Sequence, residues 1–154
     1  MAVRHWEFMR TVVVGCGNPD RGDDGAGILV ARRLRELGLE TVENRGDLAG
    51  ILDCWDGAEQ AIIVDTVVSG LEPGRISVWD ASSTPLPAAT FRCSTHAFGV
   101  TNAIELGRLL DRLPPRVWIY GIEGACFELG TGVSEPVAQA VERVAQQILC
   151  MKPR

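Results

Sequence analysis

The sequence has no long apolar run, only two histidines and no closely paired cysteines, and each shortage removes a class of protein. Uninterrupted hydrophobic stretches such as Ala61 to Val64 fall far short of the ~18 to 20 residues that a membrane-spanning helix needs, so no membrane association is expected. The opening MAVRHWEFMR carries Glu7 among its arginines. Neither an apolar core nor a small-residue cleavage site follows it, unlike a secretory signal. The five cysteines, at positions 16, 54, 93, 126 and 150, form an odd set without a CxxC pair. They fit neither a disulfide framework nor a zinc ribbon, and they read as reduced thiols of a cytoplasmic protein. Basic charge is scarce as well: 15 Lys and Arg stand against 20 Asp and Glu, a net charge of −5 that argues against nucleic acid as a partner.

What is present describes one self-sufficient domain: 154 residues, 46% hydrophobic and 23% charged. Apolar β-branched runs lie at Thr11 to Gly15, Ala61 to Asp65, Ile76 to Trp79 and Val117 to Ile122, with a weaker one at Thr41 to Glu43. Their continuous character predicts strands covered on both faces. Between them, helical spacing links Gly27, Val30, Leu34 and Leu37, then Leu48, Ile51, Leu52 and Trp55, then Val100, Ile104, Gly107 and Leu110, and finally Val137, Val141, Val144 and Ile148. The alternation predicts an α/β three-layer sandwich: a twisted, mostly parallel five-stranded sheet with helices on both faces. Pro73 and Gly74 make a turn before the fourth strand with no intervening helix, so one antiparallel pairing is expected there. The one long loop runs from residue 81 to 95 and is rich in proline and small polar residues.

The first strand leads into Gly15-Cys16-Gly17-Asn18-Pro19-Asp20-Arg21-Gly22-Asp23-Asp24-Gly25-Ala26-Gly27. A GxG start suggests a dinucleotide turn, yet three aspartates stand where a pyrophosphate would need neutral or positive surroundings. A plainer reading makes Asp23 or Asp24 the cap of the following helix. Asp65 sits at the end of the third strand, and His96 closes the long loop just before a helix. Each alone could be structural. Topology groups Asp24, Asp65 and His96, because positions after parallel strands can converge on one edge. Two carboxylates and an imidazole suit a divalent first-row metal with positions left open for water or substrate. Cys93 and His96 are spaced three apart, which does not by itself make a nucleophilic dyad. No serine triad and no HExxH helix is present.

From about Thr11 to Leu149 the sequence resembles the nickel-iron hydrogenase maturation endopeptidases. The likeness is carried by Gly15-Cys16-Gly17-Asn18 with Gly22-Asp23-Asp24-Gly25-Ala26-Gly27, by Ile63-Val64-Asp65-Thr66 and by Thr95-His96-Ala97-Phe98-Gly99. Gly121-Ile122-Glu123 and Gly130-Thr131-Gly132-Val133-Ser134 extend it. The resemblance implies a peptidase that trims the C-terminal tail of the hydrogenase large-subunit precursor after nickel insertion. It implies that Asp24, Asp65 and His96 are both the catalytic and the metal-ligating residues, and that the protein is a monomer. Nickel would be carried by the substrate as a recognition element, or another divalent metal would occupy the same site. Arg45-Gly46-Asp47-Leu48-Ala49-Gly50 departs from the Asp-Gly-Gly-Thr-like segment of several members. Residues 1–10 are expected to be a poorly ordered extension, with 11–150 the single α/β peptidase domain. Rival readings are a non-catalytic, nickel-dependent checkpoint or chaperone on the same precursor, and a small nucleotide or phospho-ligand enzyme.

Overall fold

The apolar runs become the strands of one five-stranded sheet, ordered β2-β1-β3-β5-β4. A computed structural model of the chain describes residues 10–83, 86 and 97–151. Along the chain it places β1 (Thr11–Cys16), a 3-10 turn (Gly22–Gly25), α1 (Ala26–Glu36), β2 (Thr41–Asn44), α2 (Leu48–Trp55) and β3 (Gln60–Val67). Then come β4 (Ile76–Asp80), α3 (Ala97–Leu109), β5 (Arg116–Glu123) and α4 (Glu135–Met151). Most of the expected 1–10 extension and most of the 81–95 loop lie outside the described residues. Arg10 is described, and it pairs with Glu40 at 2.8 Å and donates to the Asp56 carbonyl.

Alternation along the inner strands divides the core into two halves. Val12, Val14 and Cys16 of β1, with Ala61, Ile63 and Val67 of β3, meet Ile51, Leu52 and Trp55 of α2 and Val100, Ala103 and Ile104 of α3. On the opposite face, Val13, Ile62, Val64 and Ile122 meet Ala26, Val30 and Leu34 of α1 and Val137, Val141, Val144 and Ile148 of α4. Strands covered on both faces need apolar residues at successive positions, which is why these runs do not alternate with polar residues. β2 and β4 are the edges, and most of their residues are only half buried.

The antiparallel pairing is present, and its partner is β5: Ile76 lies opposite Ile122 and Asp80 opposite Trp118. β5 inserts between β3 and β4, so the turn at Pro73–Gly74 joins two strands that do not pair. The remaining pairings are parallel. This order has a consequence for the site. The chain leaves β1 through α1 toward β2 on one side, and leaves β3 toward β4 and β5 on the other. The carboxyl ends of β1 and β3 therefore flank the topological switch point, where open α/β sheets bind ligands. No helix among the described residues is long and apolar enough to cross a membrane.

Candidate active site

Asp24 and Asp65 both stand at this switch point, and both are buried. Pairing between β1 and β3 ends at Gly15 and Val64, so Asp65 is the first β3 residue past its β1 neighbour. The strand itself continues to Val67 on its β5 side, two residues beyond the end expected at Asp65. Asp65 follows the alternation of Ile63 and Val67, and so belongs to the sheet face covered by α2 and α3. Its Oδ1 accepts from the Thr66 N–H at 2.8 Å.

Asp24 is carried by the 3-10 turn and is folded back onto the exit of β1. The Asn18 N–H donates to the Asp24 carbonyl and to its Oδ2, each at 3.1 Å. That closeness depends on Gly17, whose φ is +138°. A Cβ there would stand 2.0 Å from the Asp24 carbonyl oxygen. Neither aspartate caps α1, contrary to the plainer expectation: Gly25 is the N-cap and no side chain bonds there. The Asn18 amide, which a phosphate could have used, is already taken by the Asp24 carboxylate, and this weakens the nucleotide reading further.

Asp23, the neighbour of Asp24, has a role that periodicity could not reveal. It is fully buried, and its Oδ2 accepts from the Ala125 and Cys126 N–H groups at 2.9 and 3.0 Å and from Ser134 Oγ at 3.1 Å. Its Oδ1 accepts from the Ser134 N–H at 2.6 Å. Burial alone would push this carboxyl up, but the backbone donors of Ala125, Ser134 and Cys126, with the Ser134 hydroxyl, outweigh it and hold Asp23 below the usual carboxylate range. The turn is thus clamped to the segment between β5 and α4. Ser134→Ala removes one of these four bonds to a charged acceptor. It is expected to cost about 1.5 kcal/mol, a fall in Tm of roughly 3–6 °C, which thermal melting checks.

The turn is tied to β3 as well. Thr66 Oγ1 donates to the Asp23 carbonyl at 2.7 Å, while the amide of the same threonine serves Asp65. One buried residue therefore contacts both the Asp23-Asp24 turn and the Asp65 carboxylate. A hydroxyl directly after Asp65 was the only sequence signal for it. At the end of β5, Glu123 is buried too, and accepts from the Ser69 N–H, at 2.9 Å to Oε2, and from the Ser69 hydroxyl. It anchors the segment that follows β3.

His96, the third residue of the expected set, lies outside the described residues. α3 begins at the next position and packs on the same face as Asp65. Its last turn reaches the far end of the sheet, where Arg108 donates to the Ala81 carbonyl just beyond β4. Since β4 runs against its neighbours, α3 starts from the edge that carries Asp24 and Asp65. Among the described residues no group of three or more Asp, Glu, His and Cys side chains forms a metal cluster.

The described cysteines, 16, 54, 126 and 150, are free thiols. Burial, and next the charge of Asp65, push the Cys16 thiol well up. Burial takes Cys54 to about 11. Neither is a thiolate nucleophile. Cys93, the residue spaced for a dyad with His96, lies outside the described residues.

The family model described as hydrogenase maturation protease matches residues 48–151. Among curated proteins, FrxA of Pyrococcus furiosus is 26% identical over 130 residues, covering 83% of this chain and 94% of that protein. The structure of the [NiFe] hydrogenase maturation protease HybD from Thermococcus kodakarensis superposes with a TM-score of 0.80 at 24% identity, over 94% of this chain and all of that one. The hydrogenase maturating endopeptidase HybD from E. coli gives a TM-score of 0.80 at 21% identity, over 93% and 91% of the two chains. Two thirds of the sequence matches the family model, and the fold is that of the HybD structures, so this chain belongs to the hydrogenase maturation protease family, a family of peptide hydrolases.

Proposed function

We propose that this protease removes the C-terminal tail of a nickel-iron hydrogenase large-subunit precursor after nickel has been inserted, and that Asp24, Asp65 and His96 meet the nickel carried by that precursor. The observation that supports the reading is the placement of two buried aspartates, carried by separate elements, at the β1/β3 switch point. Two acids held together without a cation repel and are costly to desolvate; a cation brought by the substrate relieves both penalties. Nickel then serves as recognition element, and selectivity follows: a precursor lacking the metal offers the acids nothing to bind. The scissile bond is brought beside this edge. Water polarised by the substrate's metal, or activated by a carboxylate, attacks the peptide carbonyl carbon; the C–N bond breaks and the proton passes to the leaving amine.

A resident divalent metal at the same residues is the second form of this reading. The donor set of two carboxylates and one imidazole fits such an ion, which would polarise the carbonyl in the same place. Mass spectrometry of a large-subunit precursor incubated with the protein, with and without nickel loaded, separates the two. The expected outcome is loss of a defined C-terminal peptide from the nickel-loaded sample alone. Cleavage of both samples establishes the resident-metal form. Binding without any change of mass, for a precursor the protein retains, establishes a checkpoint in place of a protease on that client.

A further inference from the structure

Thr66 is fully buried and follows Asp65 directly, and it is hydrogen-bonded both to Asp65 and to the turn that carries Asp24. Its hydroxyl lies on the sheet face opposite Asp65, under the 3-10 turn, and donates to the carbonyl of Asp23 at 2.7 Å. That carbonyl belongs to the peptide group linking Asp23 to Asp24, so the bond fixes the start of Asp24. The same carbonyl also receives the Ala26 N–H. The Thr66 amide, on the strand, donates to Asp65 Oδ1 at 2.8 Å. A single rigid, β-branched residue thus links the backbone before one acid to the carboxylate of the other. Thr66 is also packed in place: a Cβ added to Gly124 would lie 2.7 Å from its methyl group and 3.1 Å from the Asp23 Cβ.

We propose that Thr66 is a positioning residue for the processing reaction, a bridge whose hydroxyl and amide hold Asp24 and Asp65 at one fixed separation. The bridge rests on the assignment of these two acids made above. Two ligands from different elements can grip one ion only if the spacing between their backbones is set beforehand, and groups that orient ligands in this way matter about 10- to 100-fold in metal affinity or activity. Without the hydroxyl the turn keeps its Asp23 clamp to the segment after β5 but loses its direct tie to β3. Asp24 can then drift relative to Asp65.

The test compares Thr66→Val, which removes the hydroxyl and keeps the shape, with Thr66→Ser, which keeps the hydroxyl. Cleavage of nickel-loaded precursor is followed at a temperature where circular dichroism shows every variant fully folded. T66V is expected to lose about 10- to 100-fold in kcat/KM. The loss should lie mainly in KM, because the acids meet the metal in the bound complex, and T66S should restore most of it. A merely structural role would lower the active fraction, and with it kcat alone, leaving KM unchanged. That result, T66V within twofold of the parent, or equal impairment of T66V and T66S would each overturn the bridge. Should T66V fold poorly, Thr66→Ala carries the same comparison with a smaller side chain. Asp24→Asn and Asp65→Asn run in parallel: if both are inactive while T66V is fully active, only the bridge fails, whereas full activity in both overturns the site assignment beneath it.

Discussion

Asp65→Asn and Asp24→Asn are each expected to abolish precursor processing, with kcat/KM falling by at least about 10²- to 10³-fold, the scale seen when one preorganised electrostatic group is removed. The substitution keeps shape and removes charge. In Asp65→Asn the amide oxygen can still accept from the Thr66 N–H, and in Asp24→Asn the side-chain oxygen can still accept from the Asn18 N–H, so the local folding instructions survive. What is lost is the attraction between a carboxylate and a cation in a buried place, where the effective dielectric makes such attraction strong. Thermal melting should move little in either variant, and the mass of a nickel-loaded precursor should stay unchanged after incubation. His96→Ala is expected to behave in the same way if the imidazole completes the donor set. Loss of stability with specific activity retained would return the acids to a structural role.

The position of Asp24 and Asp65 at the carboxyl edge of the sheet was legible because topology places them there. A continuous apolar run is a buried strand, an aspartate past it lies at the sheet's carboxyl edge, and β1 and β3 carry the two longest such runs before the midpoint of the chain. The 4, 3, 4 spacing of Val137, Val141, Val144 and Ile148 likewise became the buried stripe of α4. The neighbours that hold the acids were not legible, and the reason is physical. Asp23 is bonded to Ala125, Cys126 and Ser134, more than a hundred positions away, and no local period records a partner at that separation. Thr66 reads as one more β-branched strand residue, since propensity sees its Cγ branch and not the destination of its hydroxyl. The place of β5 between β3 and β4 was hidden for the same reason: a short turn suggests adjacency, while the pairing is decided by which edge best covers the apolar faces.

The tight seating of α1 on the sheet yields the largest effect expected on folding. Gly27→Ala places a methyl group where its Cβ would stand 2.3 Å from the Val64 carbonyl oxygen, 2.4 Å from that of Cys16 and 3.0 Å from the Cys16 nitrogen. All three are backbone atoms of β1 and β3, so no side-chain rotation relieves the clash; the helix must move off the sheet. Overpacking of this kind costs about 3 kcal/mol or more, a large part of the roughly 5–15 kcal/mol that holds a domain together. Tm should fall by roughly 6–12 °C. Gly15, directly opposite, has the same constraint: its Cβ would meet the Gly27 carbonyl oxygen at 2.2 Å and the Ala31 Cβ at 2.7 Å. The cost also reaches the chemistry. α1 follows the 3-10 turn without a break, so lifting the helix drags Asp24 away from Asp65 across the switch point. Gly27→Ala is therefore expected to lose processing at temperatures where circular dichroism still reports it folded. A variant that melts early but cleaves nickel-loaded precursor at the parent rate below its transition would separate the packing of α1 from the placement of Asp24.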